Sequence, residues 1–245
     1  MRFFGLIGFP LGHSFSQKYF TAYFEEKKIE AQYNLFPLND ISEFSELIKS
    51  NTFSGLNVTI PYKTQVMQYL DELDPTAAAI GAVNVIKFIR DNNTVQLKGF
   101  NTDVVGFENS IKPYLKPHHK KALILGTGGA SKAVLYTLRK LGITTTYVSR
   151  HATEDVLSYE QLNEDIISEN LLIVNTTPLG MYPKVDNCAD IPYKHLTEKH
   201  LLYDVIYLPE ETLFLQKGRE KGATTVNGIE MLYGQAIAAW AIWNS

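Results

Sequence analysis

The 245-residue chain has a single cysteine, Cys188, so no internal disulfide can form. That excludes a disulfide-stapled scaffold and fits a reducing compartment. No apolar run approaches the roughly 18 residues that span a bilayer. The apolar start, Met1 to Pro10, is interrupted by Gly5, Gly8 and Pro10 and reads as a first strand, not a signal peptide. A cytoplasmic protein with no membrane partner is expected. Basic blocks are missing too. The net charge is −3 and the lysines and arginines are dispersed, which argues against nucleic acid as a partner. The six histidines lack metal-ligand spacing, so no metal site is expected. Internal repeats and low-complexity tracts are also absent.

What is present is ordinary for a globular α/β protein: 45% hydrophobic and 20% charged residues, in a chain long enough for two modest domains. Apolar runs alternate with helical periodicity. Strands are predicted at Arg2 to Gly8, Gln32 to Leu38, Gly55 to Ile60, Val83 to Ile89 and Val95 to Leu97, the last two flanking an Asp91-Asn-Asn93 hairpin signal. Helices are predicted at Ser16 to Lys28, Ile41 to Lys49 and Tyr62 to Leu70. After a helix from Val104 to Leu115, further strands fall at Ala122 to Leu125, Thr144 to Val148, Leu171 to Asn175, Leu201 to Ile206 and Ala223 to Val226. The final helix runs from Ile229 to Trp243. This alternation predicts largely parallel sheets with one antiparallel edge pair.

The segment Leu123-Ile-Leu-Gly-Thr-Gly-Gly-Ala-Ser131 is a strand, a glycine turn and the start of a helix that ends before Gly142. Glycines at 126, 128 and 129 let the backbone approach a pyrophosphate, whose charge suits a helix N-terminus. A plain strand–helix turn has the same local pattern, but the next strand ends in Ser149-Arg150. An NAD enzyme usually carries an acid there for the ribose 2′-hydroxyl; a guanidinium suits a 2′-phosphate instead. NADP is therefore favoured, the alternative being a solvated strand-end arginine.

Four segments place polar groups after apolar strands: Gly12-His-Ser-Phe-Ser16, Asn57-Val-Thr-Ile-Pro-Tyr-Lys63, Gly81-Ala-Val-Asn84 and Asn101-Thr-Asp103. Taken singly each is bland, since serines before helices are usually caps and lysines are usually solvated. Together they gather hydroxyls, amides, an ammonium and a carboxylate suited to a small polyhydroxy acid. Their order and spacing resemble the shikimate dehydrogenase family over essentially the whole chain. The resemblance continues through Gly126-x-Gly-Gly-Ala130 and Asp204-x-x-Tyr207-x-Pro209 to Asn227-Gly-Ile-Glu-Met-Leu-Tyr-Gly-Gln235-Ala236.

The resemblance implies reduction of 3-dehydroshikimate to shikimate with NADPH, on the route to chorismate and aromatic amino acids. Lys63 and Asp103 would be catalytic, both facing the oxidisable hydroxyl. Ser14 and Ser16 would hold the carboxylate, and Asn57, Thr59, Asn84, Tyr207 and Gln235 the ring hydroxyls or the rest of the pocket. Gly126, Thr127, Gly128, Gly129, Ala130, Ser149, Arg150, Val205 and Gly228 would bind the cofactor. Residues 1–102 with 228–245 would form the substrate-binding catalytic domain, the last helix packing back on it. Residues 103–227 would form a Rossmann-like NADP domain, with closure about hinges near Thr102 and Gly228. A monomer or homodimer is expected. The family often has Asn-Arg-Thr where this chain has Ser149-Arg-His151. Chemically, hydride addition to a carbonyl builds negative charge on oxygen, which an ammonium can stabilise and protonate. Two other readings stay open: a paralogue with quinate or NAD use, and a non-catalytic sensor of a shikimate-like ligand.

Overall fold

The computed structural model describes residues 1–245 apart from His13 and Asn93. His13 of the Gly12–Ser16 segment and Asn93 of the hairpin signal therefore lie outside the described residues. The chain divides into two compact units, Met1–Thr102 with Ala236–Ser245, and Asp103–Gln235.

The first unit contains β1 (Arg2–Gly8), α1 (Phe15–Glu26), β2 (Ala31–Pro37), α2 (Phe44–Ser50), β3 (Gly55–Val58), β4 (Glu72–Leu73), α3 (Pro75–Ile80), β5 (Val85–Asp91) and β6 (Thr94–Phe100). Its sheet has the order β2-β1-β3-β5-β6-β4. β1 is parallel to β2 and β3, but β5 is antiparallel to both β3 and β6. The expected antiparallel hairpin is thus in the interior of the sheet, not at its edge, because β4 flanks β6. The reason is local. Between Val58 and Val85 the chain stays at the carboxyl end of β3. Val83 N donates to Lys63 O (2.7 Å) and Val58 N to Asn84 O (2.9 Å), so β5 starts where β3 stops and must run back.

The helix expected from Tyr62 to Leu70 is instead a turn followed by a 3-10 segment, Gln65–Tyr69. Tyr62 is pinned by its hydroxyl, which donates to Leu38 O at 2.6 Å, and Val66 is buried. The short α3 has all its end signals in place: Asp74 accepts from Thr76 N, Pro75 occupies the first turn, and Gly81 closes it at φ 68°. One face of the sheet packs on an aromatic cluster with Phe4, Phe20, Phe24 and Tyr33, into which Ala236, Ala239 and Trp243 of α8 (Ile229–Trp243) insert. The Trp243 indole lies against Gly55, where any side chain would collide with it, and donates to Ile86 O at 3.1 Å.

The second unit contains α4 (Asp103–Ile111), β7 (Lys121–Leu125), α5 (Gly129–Lys140), β8 (Thr144–Ser149), β9 (Val156–Ser158), α6 (Glu164–Glu169), β10 (Leu172–Asn175), β11 (Leu201–Asp204), α7 (Leu213–Glu220) and β12 (Thr224–Val226), with the first turns of α8. Its six strands are all parallel in the order β12-β11-β10-β7-β8-β9. This is the doubly wound arrangement, with the switch point at β7, where the chain runs outward on one side and then on the other. The three strands β7, β10 and β11 are almost continuously buried, as a sheet covered on both faces requires. α4 and α8 approach closely at Gly106 and Gly234, where a side chain on either would meet backbone.

Candidate functional site

In the first unit, one chain of hydrogen bonds links several of the candidate substrate residues. The Ser16 side chain is near the Tyr33 hydroxyl and opposes the rise in its pKa. That hydroxyl donates to Asn57 Oδ1 at 2.7 Å, and Asn57 Nδ2 donates to Asn84 O at 3.3 Å. The Asn84 side chain then accepts from Thr102 N at 2.7 Å and donates to Thr102 Oγ1 at 3.0 Å. The links run from within β2, through β3, to the residues just before β5 and just after β6. Burial pushes the Tyr33 phenol well above its ordinary range, so it is held as a neutral donor. Asn57, Asn84, Asn101 and Thr102 are all buried, which makes their mutual pairing obligatory. Ser14 caps α1 by accepting from Gln17 N at 3.3 Å, which leaves its proton available to a ligand. Thr59 and Lys63 are half-buried on the turn after β3. Lys63 is anchored through its carbonyl to Val83, one residue before Asn84. Tyr33 and Thr102 are the members of this chain that sequence reasoning missed. Tyr33 occupies a period-2 strand position that reads as plain core.

In the second unit, Asp103 opens α4 and is buried. The glycine turn after β7 is a cradle. Gly126 sits at φ 99°, a conformation that side chains resist, and its N–H donates to Val148 O at 2.8 Å. The space a side chain on Gly128 would fill is open, and Gly128 caps α5 with no side-chain bond. The first turn of α5 carries no acid. The positive end of that twelve-residue helix thus has no acid of its own first turn to neutralise it, which suits a pyrophosphate. Thr127 is exposed, Gly129 and Ala130 are half-buried, and Ser149 and Arg150 follow at the end of the adjacent β8. Arg150 is exposed and makes no ion pair among the described residues. These residues fit a dinucleotide carrying a 2′-phosphate.

On the other side of the switch point, Gly228 is buried, its N–H donates to Ile206 O at 3.0 Å, and a side chain on it would strike the Val205 carbonyl. Tyr207 is half-buried in the loop after β11, and burial raises its phenol pKa. Gln235 Nε2 is bonded within its own helix, to Leu232 O at 3.0 Å.

A parallel sheet with a reversed strand order, a glycine cradle at the reversal and an arginine at the next strand end define a dinucleotide-binding α/β protein. The family described as the shikimate dehydrogenase substrate binding domain matches residues 6–86. The chain is 43% identical to the shikimate dehydrogenase (NADP(+)) of Clostridium beijerinckii, over 99% of this chain and 92% of that one. The Thermus thermophilus shikimate 5-dehydrogenase solved with NADP(H) and shikimate superposes with a TM-score of 0.86 at 28% identity, covering 99% and 93% of the two chains. A quinate dehydrogenase from Corynebacterium glutamicum, solved with NAD, superposes with a TM-score of 0.85 at 27% identity, covering 99% and 93%. The chain belongs to the shikimate dehydrogenase family.

Proposed function

We propose that this protein reduces 3-dehydroshikimate to shikimate, reversibly, with NADPH. The substrate-binding unit is residues 1–102 with the last helix, and residues 103–227 bind the cofactor. What supports the reading most is the first unit's hydrogen-bonded chain from Tyr33 through Asn57 and Asn84 to Thr102, which arrays hydroxyls and amides suited to a polyhydroxy acid. It fixes the chain immediately before Asp103.

When bound, NADPH supplies the hydride. The protein supplies everything else. Ser14 and Ser16 donate to the substrate carboxylate. Asn57, Thr59, Asn84, Tyr207 and Gln235 orient the ring. In the oxidation direction Asp103 accepts from the shikimate hydroxyl that is to be oxidised and so fixes its direction. Lys63 Nζ stabilises the oxygen as charge develops on it and delivers the proton. Gly126, Thr127, Gly128, Gly129 and Ala130 receive the pyrophosphate, Ser149 and Arg150 the 2′-phosphate, and Val205 and Gly228 the nicotinamide end.

The test is absorbance at the nicotinamide band with shikimate or quinate, each against NADP and NAD. Rapid reduction of NADP by shikimate, with little from the other three pairs, is expected. Comparable rates with quinate or NAD would move the protein toward the activity named for the Corynebacterium relative. No reaction with any pair would refute the reading and favour a ligand sensor.

A further inference from the structure

Asp204 ends β11 and is fully buried, as are Asn175 at the end of the neighbouring β10 and Thr212 at the start of α7. The two strand ends are directly paired, Asn175 opposite Asp204. One carboxylate collects donors from all three segments. Asn175 Nδ2 and Ile206 N donate to Oδ1, each at 3.0 Å, and Thr212 Oγ1 donates to Oδ2 at 2.6 Å.

The network continues outward on both sides. Asn175 Oδ1 accepts from Thr177 N at 3.0 Å and from Thr177 Oγ1 at 2.7 Å, which folds the Thr176–Leu179 loop back on β10. Thr176 Oγ1 donates to Leu125 O at 2.7 Å, next to the glycine cradle. On the β11 side, the Ile206 carbonyl accepts from Gly228 N. Asp204 is therefore the knot between the two loops that follow β10 and β11. The burial is costly: desolvation pushes the carboxyl up to about 6 despite its three donors. Packing alone would be served by an apolar residue there.

In a doubly wound sheet the dinucleotide lies across the carboxyl ends, with its pyrophosphate at the switch point. Here that is β7. Arg150, at the end of β8, marks the 2′-phosphate side, so the β10 and β11 loops are on the nicotinamide side. Given the NADP-dependent reading above, on which this rests, we propose that Asp204 is a positioning residue. It acts through Asn175, Thr212 and Ile206 to hold the two loops that receive the nicotinamide half of the cofactor, without touching the cofactor itself.

The test is calorimetric binding of NADP+ and of 2′,5′-ADP, which carries only the adenine half, to the full chain. Asp204→Ala should weaken NADP+ about tenfold or more, and leave 2′,5′-ADP within about twofold of wild type. Asp204→Asn keeps an acceptor for Asn175 and Ile206 and can donate to Thr212, so it should restore most of the NADP+ affinity. Thr212→Val, which removes one donor at near-constant volume, should weaken NADP+ alone by a smaller factor. Ser110→Ala breaks a buried bond to Tyr203 in the same unit and should change neither ligand. Equal loss of both ligands in the Asp204 and Thr212 variants would make the role merely structural and overturn the proposal. Unchanged NADP+ affinity in all three would overturn it too. If Asp204→Ala does not fold, Asp204→Asn and Thr212→Val decide. Failure of the wild type to bind 2′,5′-ADP at all would overturn the cofactor reading itself, and the positioning role with it.

Discussion

The two units solve the problem of holding a polar ligand in opposite ways. In the first, the candidate binding groups are side chains, and other side chains orient them: Tyr33, Asn57, Asn84 and Thr102 form one hydrogen-bonded line across the sheet. In the second, the candidate phosphate site is backbone, made by removing side chains at Gly126, Gly128 and Gly129 and leaving the α5 terminus uncapped by any side chain. A phosphate is a strong, nearly isotropic charge, and aligned N–H groups suffice for it. A polyhydroxy ring must be told apart hydroxyl by hydroxyl, which takes directional donors and acceptors on rigid supports. Around Asp204 the second unit uses the first unit's strategy.

Substitutions that strike one unit's strategy should spare the other's. The largest effect is expected from Lys63→Ala. Turnover should fall about 10²–10⁴-fold while NADP+ binding persists; stopped-flow turnover with calorimetry checks both. Arg150→Ala comes next. On the proposed assignment it removes a charge-assisted contact to the 2′-phosphate, so KM for NADPH should rise about tenfold or more, with KM for dehydroshikimate little changed.

Tyr33→Phe is subtler. It leaves Asn57 Oδ1 buried without its donor and should cost about 1–2 kcal/mol of stability, read by denaturant unfolding, and raise KM for dehydroshikimate a few-fold. The smallest effect is on pH dependence, and it is confined to the second unit. Burial lowers the pKa of His119 and His200, each fixed between backbone groups. A folded-state pKa below the unfolded value means protons are taken up on unfolding. Their contribution is therefore present above about pH 6.5 and is lost as pH falls. Asp204, raised to about 6, has the opposite sign: its contribution is present below its ordinary value and lost as pH rises through about 6. Because the two signs oppose, the test is a difference: on going from pH 7 to 5, His200→Gln should lose less melting temperature, or gain more, than the wild type does.

How much of this was legible in the sequence also differs between the units. The glycine turn, the parallel strands around it and the final helix can be read from periodicity and punctuation, because a Rossmann-like sheet is assembled from local strand–helix units. β9 escaped because it is three residues long and gains its strand character only by pairing with β8. The motif residues Asn57, Lys63 and Asn84 of the first unit, and Asp103 at the start of the second, stood out through family resemblance, not through local physics. The reversal of β5 was hidden because it depends on Lys63 O and Asn84 O capturing distant N–H groups. α3 could have been found from Asp74, Pro75 and Gly81, whose signals are local. The partners of Asp204 come from segments 29 and 8 residues away, a separation no spacing rule spans.

The most direct test of this division of labour is a two-by-two comparison: KM for NADPH and KM for dehydroshikimate, measured in Arg150→Ala and in Tyr33→Phe. The account predicts that each variant raises one constant and leaves the other within about twofold of wild type. If both variants raised both constants alike, substrate ordering in one unit and cofactor binding in the other would not be separate devices, and the division of labour would be contradicted.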